Sequence, residues 1–449
     1  MFFETIRSEG LAHQSYLVGG DGAAAVIDPR RDCSVYIRRA TARGAAITHI
    51  LDTHRHEDYL VGSAELSRRT GATVHHGTGI DFAYGTPMHG GDRVRVGPLE
   101  LEALETPGHT VESLSFVLRE RADPERPFAV FTGDALMTGS VGRVDLMSDD
   151  LRANADTLFS SLHEEIMALP DGTTVCPAHG AGSVCGVGIR DLPFSTVGYE
   201  RSSNPYLALD RDTFIARKAA EITYRPPYFR RMEMLNLSGP SAPPDRQLLV
   251  PLAPAALAGM QVVDIRSPTS FAAGHVPGSL SIWRDGLAAF IGWVLDYDRP
   301  IALVDDFNQD LAGAATHFVR LGYDNLAGYL AGGFASWSRT GKPIAAVGAW
   351  SVHELRVRQD EVTIVDVRDG NHRQDQGAIP GSLQVYAGEL AARSDEIPRD
   401  RPVAVHCDVG YKGSLAASLL ESRGFGNVAN VLGGFLAWKN AGFPVEGGA

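Results

Sequence analysis

The residues best suited to chemistry in this sequence lie between Thr53 and Tyr59, in the run Thr-His-Arg-His-Glu-Asp-Tyr. The imidazoles of His54 and His56 and the carboxylate of Asp58 fall within five consecutive residues. An apolar run at residues 45–51 precedes them and has the length of a buried strand. A loop that leaves a strand end can turn such side chains towards one point, and imidazole and carboxylate groups are common metal ligands. The run therefore predicts a metal-binding loop.

Three later motifs each place a ligand-type residue after a short apolar run. They are His109 in Thr-Pro-Gly-His-Thr, Asp134 in Thr-Gly-Asp-Ala and His179 in Pro-Ala-His-Gly. A single Gly-His-Thr is more often a loop histidine than a ligand. Four such positions in order, each after a predicted strand, are much more specific, and we expect them to complete the shell of one metal centre.

A second chemical motif lies at residues 401–414, where a strand pattern, a six-residue loop and a helix start follow one another. The loop contains Cys407 and Gly410, and Lys412 stands at its end. Successive backbone N–H groups and the positive end of a helix stabilise an anion at the centre of such a loop. The setting lowers the pKa of a thiol, so Cys407 is predicted to be a nucleophile. A buried strand-end cysteine is the other interpretation, but it does not explain the loop.

An internal repeat organises the second half of the chain. The segment Val262–Arg266 recurs as Ile364–Arg368, 102 residues later. The Gly-Gly-Phe turn at residues 332–334 likewise recurs at residues 433–435. Each unit is about 95 residues long and alternates strand and helix patterns, which predicts a small α/β domain with a mainly parallel sheet. With this offset Asp305 corresponds to Cys407, so the first unit has a carboxylate in place of the nucleophilic thiol. The first unit is therefore predicted to be inactive and to serve as a scaffold.

The N-terminal half is predicted to contain two kinds of element. Strand patterns at residues 2–6, 15–18 and 24–27 indicate an antiparallel meander, and alternation around Gly97-Pro98 indicates a hairpin. Helical patterns cover residues 33–42, 62–70 and 150–168, and most of 195–234. The run Ser-Gly-Pro-Ser-Ala-Pro-Pro at 238–244 is typical of a linker. We predict domains at residues 1–240, 250–345 and 350–449.

Length and composition narrow the possible partners. A chain of 449 residues is expected to form two to four domains. Its net charge of −13, without a basic tract, argues against nucleic acid and against an anionic membrane surface. No apolar stretch reaches the ~18 residues of a membrane span, and the N-terminus lacks the pattern of a signal peptide. Four cysteines are too few for a disulfide framework, so we expect a cytoplasmic protein.

The four metal motifs resemble those of the metallo-β-lactamase superfamily, and the resemblance covers roughly residues 1–240. It implies an αββα sandwich with the metal centre at one edge. Two-metal hydrolases of this superfamily have His where this chain has Tyr59. A phenol is a poor substitute for a neutral imidazole, so a single-metal site is expected. Two histidines and one carboxylate, with open positions on the metal, form the facial triad of non-haem Fe(II) oxygenases.

More closely, this half resembles the persulfide dioxygenases of the superfamily. The resemblance implies one Fe(II) held by His54, His109 and Asp134. It assigns supporting positions around the metal, which are His56, Asp58, Tyr59 and His179.

The family's Gly-Arg-x-Asp segment matches residues 142–145 of this chain. Arg143 is therefore a candidate anchor for an anionic thiol substrate, with a structural arginine as the alternative. Cys185 lies on a glycine-rich loop after His179, where it could receive a sulfane sulfur or simply fill space.

The Cys407 loop resembles the active loop of rhodaneses, in which a cysteine becomes a persulfide. Lys412 stands where that family commonly has arginine. It keeps the charge but loses the bidentate geometry. The whole order resembles bacterial fused persulfide dioxygenase–sulfurtransferases of sulfide detoxification. The substrates implied are a low-molecular-weight thiol persulfide, O2 and sulfite, in a homo-oligomer that is a dimer or a tetramer.

Two other functions stay open from the sequence. One is a binuclear zinc hydrolase, thioesterase-like, with a sulfurtransferase tail. The other is a non-enzymatic sulfur carrier or sensor with a vestigial metal site. The sequence also leaves open which thiol carries the persulfide and how sulfur travels between the two sites.

Overall fold

The structure is a computed structural model that describes residues 1–192, 194–244 and 249–448. The described chain forms two compact units. The first comprises Met1–Pro244 and Val319–Gly322, and the second comprises the remaining described residues. Within the described ranges no helix is both long and apolar enough to cross a bilayer.

The N-terminal unit begins with a six-stranded sheet in which the strands follow one another in chain order. The first three strands form the predicted antiparallel meander, and the next three join in parallel. The elements are β1 Phe2–Ser8, β2 His13–Gly20, β3 Ala23–Ile27, α1 Ser34–Ala42, β4 Ala46–Leu51, α2 Ser63–Thr70, β5 Thr73–His76 and β6 Thr86–Pro87.

A second six-stranded sheet has the order β14-β13-β10-β9-β8-β7, and β7 and β8 form the predicted hairpin. The small ribbon β11-β12 stands beside it. The elements are β7 Arg93–Val96, β8 Leu99–Glu105, β9 Leu114–Glu120, β10 Asp123–Gly133, β11 Leu136–Met137, β12 Ser140–Val141, α3 Leu151–Ser160, β13 Thr174–Pro177, β14 Ser195–Thr196, α4 Val197–Ser203, α5 Arg211–Ala219 and α6 Phe229–Ser238.

The helix predicted at residues 150–168 is confirmed over most of its length, but it changes form part of the way along. Its second part, Ser161–Ile166, is a π-helical segment. The hydroxyl of Ser161 donates a hydrogen bond to the carbonyl oxygen of Pro107, 2.6 Å away. The wide turn thereby contacts the loop that leads to His109.

Three apolar layers show that the two sheets face each other between helices. One core cluster combines residues of both sheets, including Val18 and Ile27 from the first sheet and Phe116 and Phe131 from the second. A second cluster joins the outer face of the first sheet to α1 and α2, and a third joins the second sheet to α3 and α5. The predicted αββα sandwich is therefore confirmed.

The C-terminal unit contains two five-stranded parallel sheets with the same strand order, β15-β19-β18-β16-β17 and β20-β24-β23-β21-β22. The first repeat contains β15 Val250–Leu252, β16 Gln261–Asp264, α7 Pro268–Ala273, β17 Leu280–Ser281, α8 Leu287–Val294, β18 Ile301–Val304, α9 Leu311–Arg320, β19 Leu326–Leu330 and α10 Gly333–Ser338. The second contains β20 Gly348–Trp350, α11 Val352–Arg358, β21 Thr363–Asp366, α12 Gly370–Gln376, β22 Leu383–Gln384, α13 Leu390–Arg393, β23 Val403–His406, α14 Tyr411–Ser422, β24 Val428–Val431 and α15 Gly434–Asn440.

The two motifs that mark each repeat in the sequence form one structural unit. In the second repeat, Arg368 pairs with Asp366 at 2.6 Å, and its guanidinium lies 3.8 Å from the ring centroid of Phe435. The first repeat contains the same arrangement, with an arginine paired to a carboxylate at 2.6 Å and stacked on a phenylalanine. Buried charges need such partners, so the Asp-x-Arg and Gly-Gly-Phe motifs recur together for structural reasons.

The packing between the two N-terminal sheets can be tested by a substitution at Phe131. It is fully buried in β10, and its ring centroid lies 5.0 Å from that of Tyr16 on the opposite sheet. Phe131→Ala is expected to lower the free energy of unfolding by about 3–5 kcal/mol, because it leaves a cavity. Phe128→Ala on the same strand is the control: Phe128 is 45% exposed, so its loss should cost under about 1 kcal/mol. Denaturant unfolding of both variants measures the difference, and equal losses would contradict the assigned core.

Candidate metal centre and sulfur-transfer loop

Four strand ends place buried polar side chains at one edge of the N-terminal sandwich. His54 follows β4, His109 follows β8, Asp134 follows β10 and His179 follows β13. All four are at most 2% exposed. The structure therefore brings together the four motifs that the sequence singled out.

Two imidazole nitrogens point at one carboxylate oxygen. His54 Nε2 lies 3.7 Å from Asp134 Oδ2, and His109 Nε2 lies 3.5 Å from the same oxygen. Both Nε2 atoms are buried and have no hydrogen-bond partner among the residues that the structure describes. Burying a polar atom without a partner costs free energy, so a ligand for these atoms is expected.

Hydrogen bonds fix the tautomers of both histidines. His109 Nδ1 faces the carbonyl oxygen of Arg143 at 3.0 Å, so Nδ1 must donate. Thr53 donates its only hydroxyl proton to the Asp28 carboxylate, at 3.0 Å, and must accept a hydrogen bond from His54 Nδ1, at 2.9 Å. Each ring therefore presents a bare Nε2 lone pair to the centre. Burial, helped by the neighbouring His56, lowers the pKa of His54 well below its ordinary value and keeps the ring neutral.

The donor set fits a metal ion. Two neutral imidazoles and one carboxylate converge, all excluded from water, and a divalent cation would satisfy all three. Such a 2-His-1-carboxylate set with open positions suits non-haem iron.

A second group of ligand-type side chains adjoins this triad. His179 lies between two carboxylates, with Nδ1 2.7 Å from Asp134 Oδ1 and Nε2 3.0 Å from Asp58 Oδ2. Burial acts to lower the pKa of His179, but the two carboxylates outweigh it and hold the pKa well above its ordinary value. The thiol of Cys185 lies within 4.8 Å of ligand atoms of Asp58 and His179, and also of ligand atoms of His109 and Asp134. Burial raises the pKa of Cys185 well above its ordinary value.

His56 and Tyr59 are held by residues that the sequence gave no reason to select. His56 Nε2 lies 3.1 Å from Asp28, and the Tyr59 hydroxyl lies 2.8 Å from His13 Nε2. His13 in turn contacts Ser8 at 3.0 Å. His13 and Asp28 belong to no motif, so only the tertiary structure reveals their place beside the metal loop.

One buried asparagine holds the metal-binding loop from outside. The Asn236 side-chain amide in α6 donates to the carbonyl oxygens of Arg55, His56 and Tyr59 at 2.9–3.0 Å. Its side-chain oxygen accepts from the Val61 N–H at 3.1 Å. The conformation of the loop therefore depends on a residue about 180 positions away in sequence.

Arg143, the candidate substrate anchor, has a guanidinium that is engaged within the protein, as the alternative of a structural arginine predicts. It forms a bidentate ion pair with Asp145, with both contacts at 2.6 Å, and it donates to the carbonyl oxygens of Val184 and Tyr224. The side chain is only 2% exposed. Arg143 instead holds the segment whose carbonyl oxygen orients His109.

The glycine before Arg143 is required by close packing. A Cβ at Gly142 would lie 2.4 Å from the carbonyl oxygen of Asp134 and 3.1 Å from His109 Nδ1. The Gly-Arg-x-Asp segment thus supports two members of the triad through its backbone.

In the second repeat, the Cys407 loop directs a backbone N–H and a helix start towards the thiol. The N–H of Gly410 points at Cys407 Sγ, 3.0 Å away, and Gly410 has a φ of +103°, which favours glycine. Helix α14 begins at the next residue, so its positive end faces the loop. Lys412 lies 3.3 Å from Asp408 of the same loop, so its charge is shared with that carboxylate.

The corresponding loop of the first repeat holds its own anion. The Asp305 carboxylate accepts hydrogen bonds from the backbone N–H groups of Asn308 and Gln309, at 3.0 and 3.3 Å, and from the Asn308 amide at 2.6 Å. It takes the place that Cys407 Sγ has in the second repeat. This loop therefore offers neither a thiol nor a free anion site, which agrees with its predicted inactivity.

The remaining cysteines differ from Cys407. All four thiols are free and buried. Burial raises the pKa of Cys176 to about 12 and also raises the pKa of Cys33. Neither is suited to nucleophilic chemistry.

Comparison with protein families agrees with this division of the chain. The model of the metallo-beta-lactamase superfamily matches residues 9–179, and the model of the rhodanese-like domain matches twice, at residues 253–340 and 351–441.

Curated relatives match the N-terminal half. The persulfide dioxygenase ETHE1 of Bos taurus is 30% identical over 219 residues, which cover 45% of this chain and 74% of that protein. A hydroxyacylglutathione hydrolase of Polaromonas sp. is 35% identical over 162 residues, or 35% of this chain and 57% of that protein. The chain thus spans under two thirds of the length of some of these relatives, including the mouse ETHE1 protein at 61%.

A solved structure matches a larger part of the chain. The crystal structure of a metallo-beta-lactamase from Staphylococcus aureus subsp. aureus COL has a TM-score of 0.67 and 32% identity. The match covers 74% of this chain and 98% of the S. aureus chain.

The contribution of Asn236 to the metal centre is testable. Asn236→Ala removes the hydrogen bonds that hold the metal loop. The affinity of the variant protein for Fe2+ is therefore expected to be about 10- to 100-fold lower than that of the wild type. Anaerobic titration of the metal-free protein measures this. The control is Asn325→Ala, which removes two side-chain hydrogen bonds to backbone carbonyl oxygens in the first repeat and should leave the affinity unchanged. Unchanged affinity in Asn236→Ala would show that the loop holds its conformation without α6.

Proposed function

Because the chain belongs to the metallo-β-lactamase superfamily, with ETHE1 persulfide dioxygenases among its homologues and two rhodanese-like domains in its C-terminal region, we propose that it is a fused persulfide dioxygenase–sulfurtransferase. The observation that supports this most strongly is the convergence of His54 Nε2, His109 Nε2 and Asp134 Oδ2 on one buried point. Tyr59 leaves a gap in the ligand set that a two-metal hydrolase requires.

Fe(II) is the metal we propose, because two imidazoles and one carboxylate would hold it and would leave it able to bind a substrate sulfur and O2. When bound, it would supply the redox chemistry that joins the two. The chain itself has three tasks at this site. His54, His109 and Asp134 hold the ion, Thr53 and the Arg143 carbonyl orient the imidazoles, and the buried surroundings exclude water.

The first reaction is the oxidation of a low-molecular-weight thiol persulfide. In balanced form, RSSH, O2 and H2O give RSH, sulfite and two protons. The terminal sulfur is oxidised, the S–S bond breaks and O2 is reduced. His179, between Asp134 and Asp58, is placed to hold a proton at this edge of the site.

The second reaction is sulfur transfer at Cys407. Its thiolate attacks the terminal sulfur of a persulfide, which releases RSH and leaves a persulfide on the enzyme. Sulfite then attacks that terminal sulfur, so thiosulfate leaves and the Cys407 thiolate is regenerated. The Gly410 N–H and the N-terminus of α14 stabilise the anionic sulfur throughout. We assign Gly410 to the anionic sulfur, and we assign Lys412, in the first turn of α14, to attraction of the incoming sulfite.

A two-metal hydrolase is the second candidate, and one observation favours it. Asp58, His179 and Cys185 form a buried group of ligand-type side chains beside the triad. Hydroxyacylglutathione hydrolases are also among the relatives. Metal analysis separates the two proposals, because the dioxygenase needs one iron per chain and the hydrolase needs two zinc ions. The hydrolase should also cleave a glutathione thioester.

Oxygen consumption tests the dioxygenase directly. Iron-loaded full-length protein is expected to consume O2 with a thiol persulfide and to release sulfite or thiosulfate. A panel of glutathione, coenzyme A, bacillithiol and mycothiol persulfides would identify the thiol. No O2 uptake with any of them would overturn the proposal.

Cys407→Ser separates the two reactions. The variant should keep persulfide-dependent O2 uptake, because the metal triad is intact, but sulfite should accumulate in place of thiosulfate. Cys33→Ala, which removes a different buried thiol, is the control and should still yield thiosulfate. Product analysis by ion chromatography measures both anions. Undiminished thiosulfate from Cys407→Ser would refute the role of Cys407.

A further inference from the structure

A buried asparagine, Asn430, adjoins the Cys407 loop and has no role so far. It lies on β24, where it pairs with Val405 of the neighbouring strand β23, and it is 1% exposed. Its side-chain amide nitrogen donates a hydrogen bond to the carbonyl oxygen of Gly410, 2.8 Å away. A carbonyl oxygen can only accept, so this contact fixes which end of the amide faces the loop. Asn430 thus contacts the same glycine that directs its N–H at Cys407 Sγ.

Gly410 is the loop residue whose conformation matters most for the thiol. Its φ of +103° lies in the left-handed region, and its N–H lies 3.0 Å from Cys407 Sγ. A glycine has many accessible conformations and no side chain of its own to fix one of them. Its carbonyl oxygen also accepts a longer hydrogen bond, at 3.3 Å, from the Ser414 N–H in α14. The Asn430 amide therefore makes the shorter of these two contacts that hold Gly410 in place.

The first repeat holds the same loop position in a different way. Asn308 is the counterpart of Gly410 and also has a positive φ, of +51°. Its own side-chain amide donates to the Asp305 carboxylate at 2.6 Å and to a backbone carbonyl oxygen of β19 at 3.1 Å, so Asn308 fixes its own conformation. On β19, Tyr329 occupies the register position that Asn430 has on β24. Where the loop residue is glycine, the amide that fixes it comes from the neighbouring strand.

A second glycine makes room for the asparagine. Gly413 lies in the first turn of α14, and a Cβ at this position would lie 2.2 Å from Asn430 Oδ1. Glycine is a poor helix former compared with alanine, and the space that the Asn430 amide needs explains its presence here. Oδ1 is itself buried and accepts no hydrogen bond from the described part of the chain. Because an unpaired buried oxygen is unfavourable, an amide at this place needs a reason, and the contact with Gly410 supplies one.

We propose that Asn430 is a positioning residue for sulfur transfer at Cys407. Its amide holds Gly410 in the conformation that directs the backbone N–H at Sγ, and this N–H stabilises the anionic sulfur. The inference rests on the proposed role of Cys407 in sulfur transfer. It concerns the reactivity of the thiolate and assigns no contact between Asn430 and a substrate.

Alkylation of Cys407 by iodoacetamide tests the proposal without sulfur transfer. In the full-length protein, Asn430→Leu removes the amide but keeps a side chain of similar size. Its Cys407 is expected to react about 10-fold more slowly than that of the wild type at about pH 7, because the thiolate loses a hydrogen bond from a fixed N–H. At about pH 10, where a thiol is mostly ionised in any case, the two rates should differ less than about twofold. Mass spectrometry of the Cys407 peptide separates this thiol from the other three.

Two Gly→Ala variants separate positioning from stability. Gly413→Ala displaces the amide without removing it, so alkylation near neutral pH should again be slower, although alanine favours the helix. Gly426→Ala is the matched control and should react as the wild type does, because a Cβ at Gly426 would meet no atom within 4 Å. A folded Asn430→Leu protein that reacts at the wild-type rate, or that loses reactivity equally at both pH values, would overturn the proposal. If Asn430→Leu does not fold, Gly413→Ala decides by the same criteria.

Steady-state sulfur transfer connects the inference to the proposed function. With sulfite as acceptor, Asn430→Leu is expected to lower kcat about 10-fold and to change the KM for sulfite less than about twofold, because Gly410 contacts the sulfur of Cys407 and not the acceptor. If the wild type forms no thiosulfate, the proposed function fails, but slower alkylation of Asn430→Leu still supports the inference. Conversely, wild-type kcat in Asn430→Leu would refute the inference and leave the function intact.

Discussion

The N-terminal half depends on one electrostatic constraint, which is the burial of bare lone pairs that face each other. His54, His109 and Asp134 point acceptor atoms at one place from which water is excluded. Without a cation, each unpartnered atom would cost on the order of 1–3 kcal/mol, and like partial charges would repel. The surrounding hydrogen bonds make this cost unavoidable, because Thr53 and the Arg143 carbonyl accept the imidazole protons and leave the nitrogens at the centre without a proton. The fold is thereby complementary to an ion.

The rest of the unit serves to hold those atoms in place. Each ligand follows a strand of the sandwich, so the register of the sheets sets its position. Side chains from distant parts of the chain then fix the loops: Asn236 holds the metal loop, and the Arg143–Asp145 ion pair holds the segment behind His109. Because these hydrogen bonds and this ion pair fix the loops, the site requires little rearrangement to bind a metal. Such preorganisation is the usual condition for tight and selective coordination.

The two rhodanese-like repeats show how one loop geometry supports opposite outcomes. Both repeats keep the buried arginine–carboxylate pair under a phenylalanine ring, so both keep the fold. In both, backbone N–H groups of the loop point at the residue that follows the central strand. Cys407 places sulfur there, whereas Asp305 places a permanent carboxylate. The side chain at this position therefore decides whether the loop offers a thiol or holds its own carboxylate.

The sequence by itself determined the features that depend on local order along the chain. Strand-like runs followed by His54, His109, Asp134 and His179, and the repeat around Cys407, predicted the fold class and the residues that meet at each site. Only the tertiary structure decided what those residues contact. It showed that Arg143 is engaged by Asp145 and that Tyr59 pairs with His13. These outcomes depend on side-chain directions and on partners far away in sequence, which no local pattern specifies.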